Sequence, residues 1–435
     1  MRSVLSALFS VLLLVAFTNS VLRDIRTNNC HPGDLRNRVV GARLQKDGKD
    51  PYFYKWQPAD GVRYYEPSNF DIFKASRMTA SPFFHTLLYP LTDIPYKDLT
   101  SLWLLLSYMA LFVISWIAAC FTRNNIERWC VVVLAVALTY TEAWTDLVIS
   151  KQQYLVIPFM VALFFFSLRK KPGSIWWFAV AGILSAALIL IRPNTVVLFL
   201  PFLALIMRYK PAAVRAFLIS FLLLIGFSSF TQSALWKSYY ENISEQVKIH
   251  QGLGPATQDN YPYPDYQLWE GWDWNVSNTL FEEFKTYSEH GNFFIIAYNL
   301  FHIKLTPLQM TTGAMATIIL LAIFFFVLAK EKNSFIPLLL LGSSFYMITD
   351  FFSPVYRYQY YTVQWFFLLF LAILIYERRY RYIYLLLLSG LILNLVNSPY
   401  IKMEHTLGEY FWLLGFTLLS FFYKTPEIKP CDGKA

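Results

Sequence analysis

The sequence predicts an all-α membrane protein with about twelve transmembrane helices. Of its 435 residues, 56% are hydrophobic and 19% are aromatic, whereas 15% are charged, and the mean hydropathy is +0.40. Apolar runs of roughly 15 to 24 residues recur along the chain, and a run of about 18 or more is typical of a membrane-spanning helix. Most of the lysines and arginines behind the formal charge of +9 lie in short loops between these runs. The charge therefore indicates membrane orientation and not a nucleic-acid partner.

The chain divides into blocks of spans separated by two external loops. Residues 1–22 have the weakly basic start and apolar run of a signal peptide or signal anchor; because Thr18-Asn19-Ser20 is a poor cleavage site, we expect a retained first span. The remaining parts, in order, are an external loop at 23–97, spans two to seven within 98–235, a second external loop at 236–307, spans eight to twelve within 308–423 and a cytoplasmic tail at 424–435.

The charges of the connecting loops support this count. After the first span, helices are predicted near 100–121, 126–141, 153–168, 175–191, 195–207, 213–235, 308–329, 335–350, 361–376, 382–397 and 407–423. With the N-terminus inside, every short inside loop is basic, as the positive-inside rule requires. Because one missed span would invert all later loops, the agreement favours twelve.

The first external loop contains the segment around which we expect a site to form. Apolar residues recur at helical spacing from Leu35 to Leu44, so residues 35–47 predict an amphipathic helix on the membrane surface. Asp34 then occupies the N-cap position of this helix. Further along the loop, residues 81–95 predict a short apolar helix or re-entrant piece that is closed by prolines.

Two other features are less specific. The second external loop carries nine acidic residues against four lysines, together with many tyrosines and tryptophans. This composition suits a sugar-binding surface, and an interfacial aromatic belt has the same composition, so both interpretations stay open. The four cysteines predict neither a disulfide framework nor a metal site, because no two of them have the spacing of metal ligands.

Four groups of polar side chains fall at the outer ends of the predicted spans, where ionisable groups tend to line a cavity. They are Glu142, Asp146, Lys151, Gln152 and Gln153; Arg192 with Asn194; Asp350, Tyr356, Arg357, Tyr358 and Gln359; and Asp34 with Arg36, Arg38 and His85. All are predicted on one side of the bilayer, so a bundle of these spans would bring them to one external cavity. Each has a simpler explanation as well: a helix cap for Asp34, headgroup anchors for the arginines, and solvated or interfacial residues for the others.

Several of these residues fall into a recognisable pattern. The stretch from Asp34-Leu35 through Gly41-Ala42-Arg43-Leu44 to Gly48-Lys49-Asp50-Pro51-Tyr52 resembles the first external motif of the GT-C glycosyltransferases of family 87. Further similarity follows in the order Pro82 and Pro90, Lys151-Gln152-Gln153, Arg192-Pro193-Asn194 and Ser353-Pro354. The chain departs from the family pattern at Ala80-Ser81, where Tyr-Pro is usual, and at Arg357-Tyr358-Gln359, where the family often has a histidine.

This resemblance covers about residues 30–370. It implies a GT-C-like fold and a transferase that takes a sugar from a polyprenyl-phosphate donor and passes it to a glycan or glycolipid acceptor at the outer membrane face. Mannosyl- and arabinofuranosyltransferases are members of this kind. We expect a bacterial inner membrane, with the site facing the periplasm, because the sequence carries no organelle retention signal.

Such a reaction needs a base for the acceptor hydroxyl and positive charge beside the leaving phosphate. Asp34 is the predicted base, since an ordinary carboxylate is ionised at neutral pH, and a direct displacement inverts the anomeric centre. Arg192, Arg357 and Lys151 are the predicted phosphate ligands, with arginine favoured for its forked shape. The predicted substrate contacts are Arg36, His85, Gln152, Gln153, Asn194, Tyr356 and Gln359.

No metal or other cofactor is expected, because a phosphate-monoester donor has no diphosphate to clamp and the sequence has no Asp-x-Asp triplet. Two other functions stay open at this point: a ligase or polymerase of lipid-linked oligosaccharides, and a transporter of lipids or solutes. Against a transporter, the sequence has no matching halves of the kind that many transporters show.

Overall fold

A computed structural model of the protein describes residues 2–31, 33–54, 58–64, 67, 78–203, 209–250, 291–329, 334–396 and 404–424. Within these ranges the regular structure is helical and contains no β-strand, which confirms the predicted all-α class. The α-helices are α1 (Arg2–Cys30), α2 (Leu35–Lys46), α3 (Pro82–Leu88), α4 (Tyr96–Cys120), α5 (Asn125–Leu138), α6 (Glu142–Ser150), α7 (Val156–Lys170), α8 (Ile175–Ile191), α9 (Val196–Phe199), α10 (Pro211–Thr231), α11 (Ser233–His250), α12 (Phe293–Phe301), α13 (Pro307–Leu328), α14 (Phe335–Phe351), α15 (Phe366–Leu374), α16 (Arg381–Leu395) and α17 (Glu404–Phe422). Short 3-10 helices occupy Pro58–Asp60, Tyr89–Leu91, Pro193–Thr195, Gln359–Trp365 and Arg378–Tyr380.

Four of the described helices are long and apolar enough to cross a membrane: Ala7–Cys30 of α1, and α4, α10 and α13. Helices α5 and α6 would make a fifth, broken span, since they are bent by 54° at a short break. The shorter apolar helices α8, α14 and Gln359–Leu374 accompany them. The integral-membrane class is supported, whereas the predicted number of twelve spans is not established by the described helices.

Helix α6 occupies residues that the sequence predicts as the connection between the spans at 126–141 and 153–168. Helix α5 ends at Leu138, and the hydroxyl of Thr141 accepts a hydrogen bond of 3.2 Å from the backbone N–H of Trp144. This cap starts a new helix, so Glu142 and Asp146 lie on α6 and not in an irregular connection between spans.

Exposure distinguishes the lipid-facing helices from the central ones. On α10, Leu222, Phe227 and Phe230 are 62%, 68% and 86% exposed, which is expected of side chains that contact lipid tails. In α14, every residue except Thr349 is at least nine-tenths buried. Helix α14 therefore lies at the centre of the described bundle and delivers Asp350, near its C-terminal end, into the interior.

The first helix continues beyond the predicted span and is held by a buried charge. Asp24 is 1% exposed and accepts hydrogen bonds of 2.6 Å from the hydroxyl of Tyr108 and 2.6 Å from the indole N–H of Trp144. Arg23 pairs with the same carboxylate at 2.7 Å. These contacts fix the end of α1 against α4 and α6, and so fix the chain that enters the segment around Asp34.

Helix α2 forms where the sequence predicts it, but its environment differs from the prediction. Its polar residues Asn37, Arg38 and Gln45 are buried together with its apolar ones. The Gln45 side-chain amide donates to the carbonyl of Pro82 and to the hydroxyl of Thr86, each at 3.0 Å. The helix is therefore enclosed instead of lying as an amphipathic helix on a surface, because its polar side chains find protein partners.

Close contact between α2 and α3 depends on a glycine of the first external motif. A Cβ added to Gly41 would come within 2.5 Å of the Nε2 atom of His85, which is fully buried. Helix α3 itself corresponds to the short apolar helix predicted within residues 81–95, and Ser81 caps it through the N–H of Phe84 at 3.2 Å. Of the second external loop, residues 251–290 lie outside the described residues, as do its aromatic cluster and most of its acidic residues.

Candidate active site

Asp34 stands at the entry to α2 on a segment that is fixed to the turn after α6. The backbone N–H of Asp34 donates to the carbonyl of Ser150 at 2.8 Å, and the Lys151 ammonium donates to the carbonyl of His31. Gly33 has a φ of +66° and lies so close to Lys151 that an added Cβ would come within 2.8 Å of that side chain. Only glycine suits both the left-handed backbone and the contact, so the segment holds Asp34 in one position.

The Asp34 carboxylate is exposed and does not cap α2. It accepts a hydrogen bond of 2.5 Å at Oδ2 from the side-chain amide of Gln152. Gln152 is 2% exposed, and its own amide oxygen accepts from Arg38 at 2.6 Å. Arg38 is buried and also donates to the Asp34 carbonyl and to the Gln153 amide oxygen, each at 2.8 Å. The chain Arg38–Gln152–Asp34 thus fixes one carboxylate oxygen and leaves Oδ1 without a hydrogen bond from the described part of the chain.

Lys151 is held in an unusual position for a cation. It has a φ of +49°, ends α6 and is 1% exposed. Burial lowers its pKa to about 8, against the opposing effect of the nearby Asp34 carboxylate. Since its ammonium donates to the His31 carbonyl, Lys151 fastens the Asp34 segment to the turn.

Arg192 follows α8 and is held on three sides. Its guanidinium donates to the hydroxyl of Tyr154 at 2.8 Å and to Oδ1 of Asp350 at 2.7 Å. It also lies against the rings of Tyr154 and Tyr361, at 4.7 Å and 5.0 Å from their centroids, a distance at which cations are attracted to aromatic faces. The side chain is 20% exposed. Because Tyr154 is two residues beyond Gln152, Arg192 and Asp34 contact the same short segment.

Arg357 is placed differently from the other two predicted phosphate ligands. It is 1% exposed, and its guanidinium donates to Asp350 at 2.6 Å and to both carboxylate oxygens of Glu409 at 2.5 Å. Its backbone N–H donates to Asn292 at 2.6 Å. With its forked face turned to two buried carboxylates, this arginine is not presented to a ligand, and the geometry does not favour the predicted phosphate contact.

Two further contacts join the predicted groups. The Gln359 side-chain amide donates to Glu142 at 3.2 Å, and the backbone N–H of Tyr360 donates to Asp146 at 3.1 Å. Helix α6 is thereby connected to the 3-10 helix that carries Gln359. The structure brings members of all four predicted groups into one connected network.

The remaining predicted substrate contacts lie in varied surroundings. Arg36 and Asn194 are half-buried. Tyr356 is 1% exposed and packs against Phe294. His85 is fully buried, and among the described residues neither of its ring nitrogens has a hydrogen-bond partner. Burial first and the Arg38 charge second lower its pKa to about 3.

Two residues that the sequence analysis did not single out as ligands or bases are central to the network. The sequence places Arg38 beside Asp34 but predicts no role for it, and only the fold reveals that it orients Gln152. Glu409 lies inside an apolar helix, and a charge inside a span is a known signal of a functional or structural partner. In the described part of the chain, no three His, Cys, Asp or Glu side chains are grouped as metal ligands are.

Comparison with known proteins finds a family model that matches part of the chain. The sequence model of glycosyltransferase family 87 matches residues 79–262. The chain resembles glycosyltransferase family 87. The matched range covers less than half of the chain; it contains Gln152 and Arg192 but begins after Asp34. The predicted resemblance is confirmed over residues 79–262, and together with the membrane-length helices it supports a membrane glycosyltransferase.

Comparison with curated protein sequences gives no match. Among solved structures, the chain is similar to the archaeal oligosaccharyltransferase AglB from Archaeoglobus fulgidus, solved in complex with an inhibitory peptide and a dolichol-phosphate. The identity is 12% and the TM-score 0.39, over 95% of this chain and 56% of that chain. This chain therefore spans little more than half the length of AglB, and a TM-score of 0.39 is too low for any common mechanism to be inferred.

Proposed function

We propose that the protein is a membrane glycosyltransferase that moves a sugar from a polyprenyl-phosphate donor to a glycan or glycolipid acceptor, with Asp34 as the general base. The observation that carries the proposal is the exposed Asp34 carboxylate, fixed through Gln152 to the same short segment that contacts Arg192. The match to glycosyltransferase family 87 supports the reaction class. We further propose the outer face of a bacterial inner membrane as its location.

The chemistry follows from the arrangement of charge. An acceptor hydroxyl that hydrogen-bonds to Oδ1 of Asp34 would lose its proton to that oxygen as its own oxygen attacks the anomeric carbon. The bond between that carbon and the phosphate oxygen breaks at the same time, and its electron pair leaves with the lipid phosphate. A single displacement of this kind inverts the anomeric centre. Gln152 keeps Oδ2 occupied and so directs the other oxygen to the acceptor.

Positive charge must lie where the phosphate gains negative charge. Arg192 is the strongest candidate for this role, because its side chain is partly exposed whereas Arg357 is enclosed by two carboxylates. Lys151 lies near Asp34 and contributes a second, buried positive charge to the same region. The prenyl tail would remain among the lipid-facing helices while the sugar meets its acceptor in water.

The test is transfer by the purified full-length protein from a labelled polyprenyl-phosphate sugar, with release of free lipid phosphate as the readout. Asp34→Asn should transfer sugar more than about 100-fold more slowly than the wild type, because removal of a general base lowers the rate of a reaction by roughly 10²–10⁴-fold. Asp93→Asn is the matched control, since Asp93 is an exposed carboxylate of the same external segment and pairs with Lys46 at the surface. Near wild-type transfer by Asp34→Asn would exclude Asp34 as the base, and movement of the lipid without cleavage would indicate a transporter.

A further inference from the structure

A chain of alternating charges runs from the candidate site into the core. Arg192 pairs with Oδ1 of Asp350 at 2.7 Å, and Arg357 pairs with Oδ2 of the same carboxylate at 2.6 Å. Arg357 then pairs with Glu409 at 2.5 Å. Two guanidinium groups therefore meet two carboxylates, and the four side chains come from four separate parts of the fold: the end of α8, α14, the loop before the Gln359 helix, and α17.

Burial of these groups is uneven. Asp350 and Glu409 are 0% exposed and Arg357 is 1% exposed, whereas Arg192 is 20% exposed. Buried charges of this kind are expensive to desolvate and rarely add net stability over apolar residues of the same size. A network that is closed at its inner end and open only at Arg192 is better explained by control of the Arg192 position than by stability.

The contacts of Arg192 fit this explanation. Asp350 holds one Nη atom, the Tyr154 hydroxyl holds the other, and the rings of Tyr154 and Tyr361 lie against the guanidinium. The remaining nitrogen, Nε, is buried and has no hydrogen-bond partner in the described part of the chain. A flexible side chain is thereby confined to one orientation before any ligand arrives.

Resting on the function proposed above, we infer that Asp350 is a positioning residue that fixes Arg192 for the phosphate of the polyprenyl donor, with the Arg357–Glu409 pair holding Asp350 in place. Asp350 does not contact the donor itself. It acts by presenting the Arg192 guanidinium in a fixed orientation, which lowers the ordering cost of binding a phosphate.

Substitution of Asp350 distinguishes the effect of the Arg192 orientation from the effect of the net charge of the network. In Asp350→Asn, the amide can accept from only one of the two arginines and must direct its NH₂ group at the other, so Arg192 and Arg357 cannot both stay bound. Glu409→Gln is the charge-matched control, because it removes one negative charge from the same network and leaves the contact between Asp350 and Arg192. If charge alone mattered, both variants would bind an anion more tightly.

The experiment measures binding of labelled undecaprenyl phosphate to the full-length protein in detergent, with undecaprenol as the phosphate-free reference. Asp350→Asn is expected to weaken the phosphate-dependent binding at least tenfold, Glu409→Gln less than threefold, and Asp350→Glu is expected to recover part of the loss. The thermal unfolding midpoint should fall in both Asp350→Asn and Glu409→Gln, because each variant removes a carboxylate that pairs with Arg357. Stability therefore does not discriminate between them, and binding does.

A second variant covers the case in which Asp350→Asn does not fold. Tyr154→Phe removes only the hydroxyl that accepts from Arg192, and it should weaken binding threefold or more. If Asp350→Asn and Tyr154→Phe, or whichever of them folds, bind undecaprenyl phosphate with wild-type affinity, the inference is overturned and the proposed function still stands. If the wild-type protein does not prefer undecaprenyl phosphate over undecaprenol, the proposed function itself fails.

Discussion

Replacement of Gln152 by methionine tests how the candidate base is held. Gln152 is 2% exposed, donates to the Asp34 carboxylate at 2.5 Å and accepts from Arg38 at 2.6 Å. Methionine has a similar length and an apolar side chain, so the variant removes both hydrogen bonds and little volume. Asp34 keeps its charge but loses the group that fixes its orientation.

The expected loss can be worked from these contacts. A hydrogen bond to a charged group contributes about 1.5–3 kcal/mol, and about 1.4 kcal/mol corresponds to a tenfold change in rate. If the whole of this energy orients Asp34 for the reaction, Gln152→Met lowers kcat by about 10- to 150-fold. A buried Arg38 that has lost one acceptor should also lower the free energy of unfolding by about 1–3 kcal/mol.

Gln153→Met provides the matched control. Gln153 accepts from the same arginine at 2.8 Å but makes no hydrogen bond to Asp34. The assay is the initial rate of lipid-phosphate release, with kcat and donor KM determined for each purified variant, and thermal unfolding measured in parallel. Both variants should lose similar stability. Loss of the predicted substrate contact of Gln153 would raise KM, whereas only Gln152→Met should show the large fall in kcat. Equal kcat values for the two variants would refute the orienting role of Gln152.

Two predictions concern stability. Gly41→Ala should lower the free energy of unfolding by about 1–3 kcal/mol, the usual cost of overpacking a core, because its Cβ would meet His85 at 2.5 Å. Gly226→Ala is the control and should not destabilise, since no described atom lies within 4 Å of a Cβ at that position. An unchanged unfolding midpoint in Gly41→Ala would contradict the close packing of α2 on α3. The pKa of Lys151 is lowered by burial from 10.5 to about 8, so the unfolded chain binds more protons between these values and stability should rise as pH increases from about 8 to 10.5. The thermal unfolding midpoint, measured between pH 8 and 10.5, should rise with pH in the wild type and should not rise in Lys151→Met. If the midpoint rises equally in both proteins, a group other than Lys151 causes the pH dependence.

The part of the site that the sequence predicts is the part set by membrane topology. Counting spans places Asp34, the 151–153 segment and Arg192 on one side of the bilayer, and the structure joins them through Gln152 and Tyr154. The sequence can predict a side of the membrane because loop charge and hydropathy act over whole segments. The number of spans is less secure, since caps such as Thr141 divide an apolar run without changing its composition.

What the sequence could not predict depends on partners distant in the chain. Arg38 and Gln152 are 114 positions apart, and Arg357 and Glu409 are 52 apart. No local pattern identifies such a pair, so the sequence predicts phosphate binding by Arg357 as readily as by Arg192. Only the packing of α17 reveals that Glu409 occupies the forked face of Arg357. Burial, and not residue type, separates the two arginines.

The position of a bound donor lipid tests the central claim most directly. In a structure of the full-length protein with bound undecaprenyl phosphate, the phosphate should lie within hydrogen-bond distance, about 3 Å, of the Arg192 guanidinium. It should lie on the same side of the membrane as Oδ1 of Asp34. A phosphate bound on the opposite side of the membrane from Asp34, or at a site without Arg192, would contradict the mechanism.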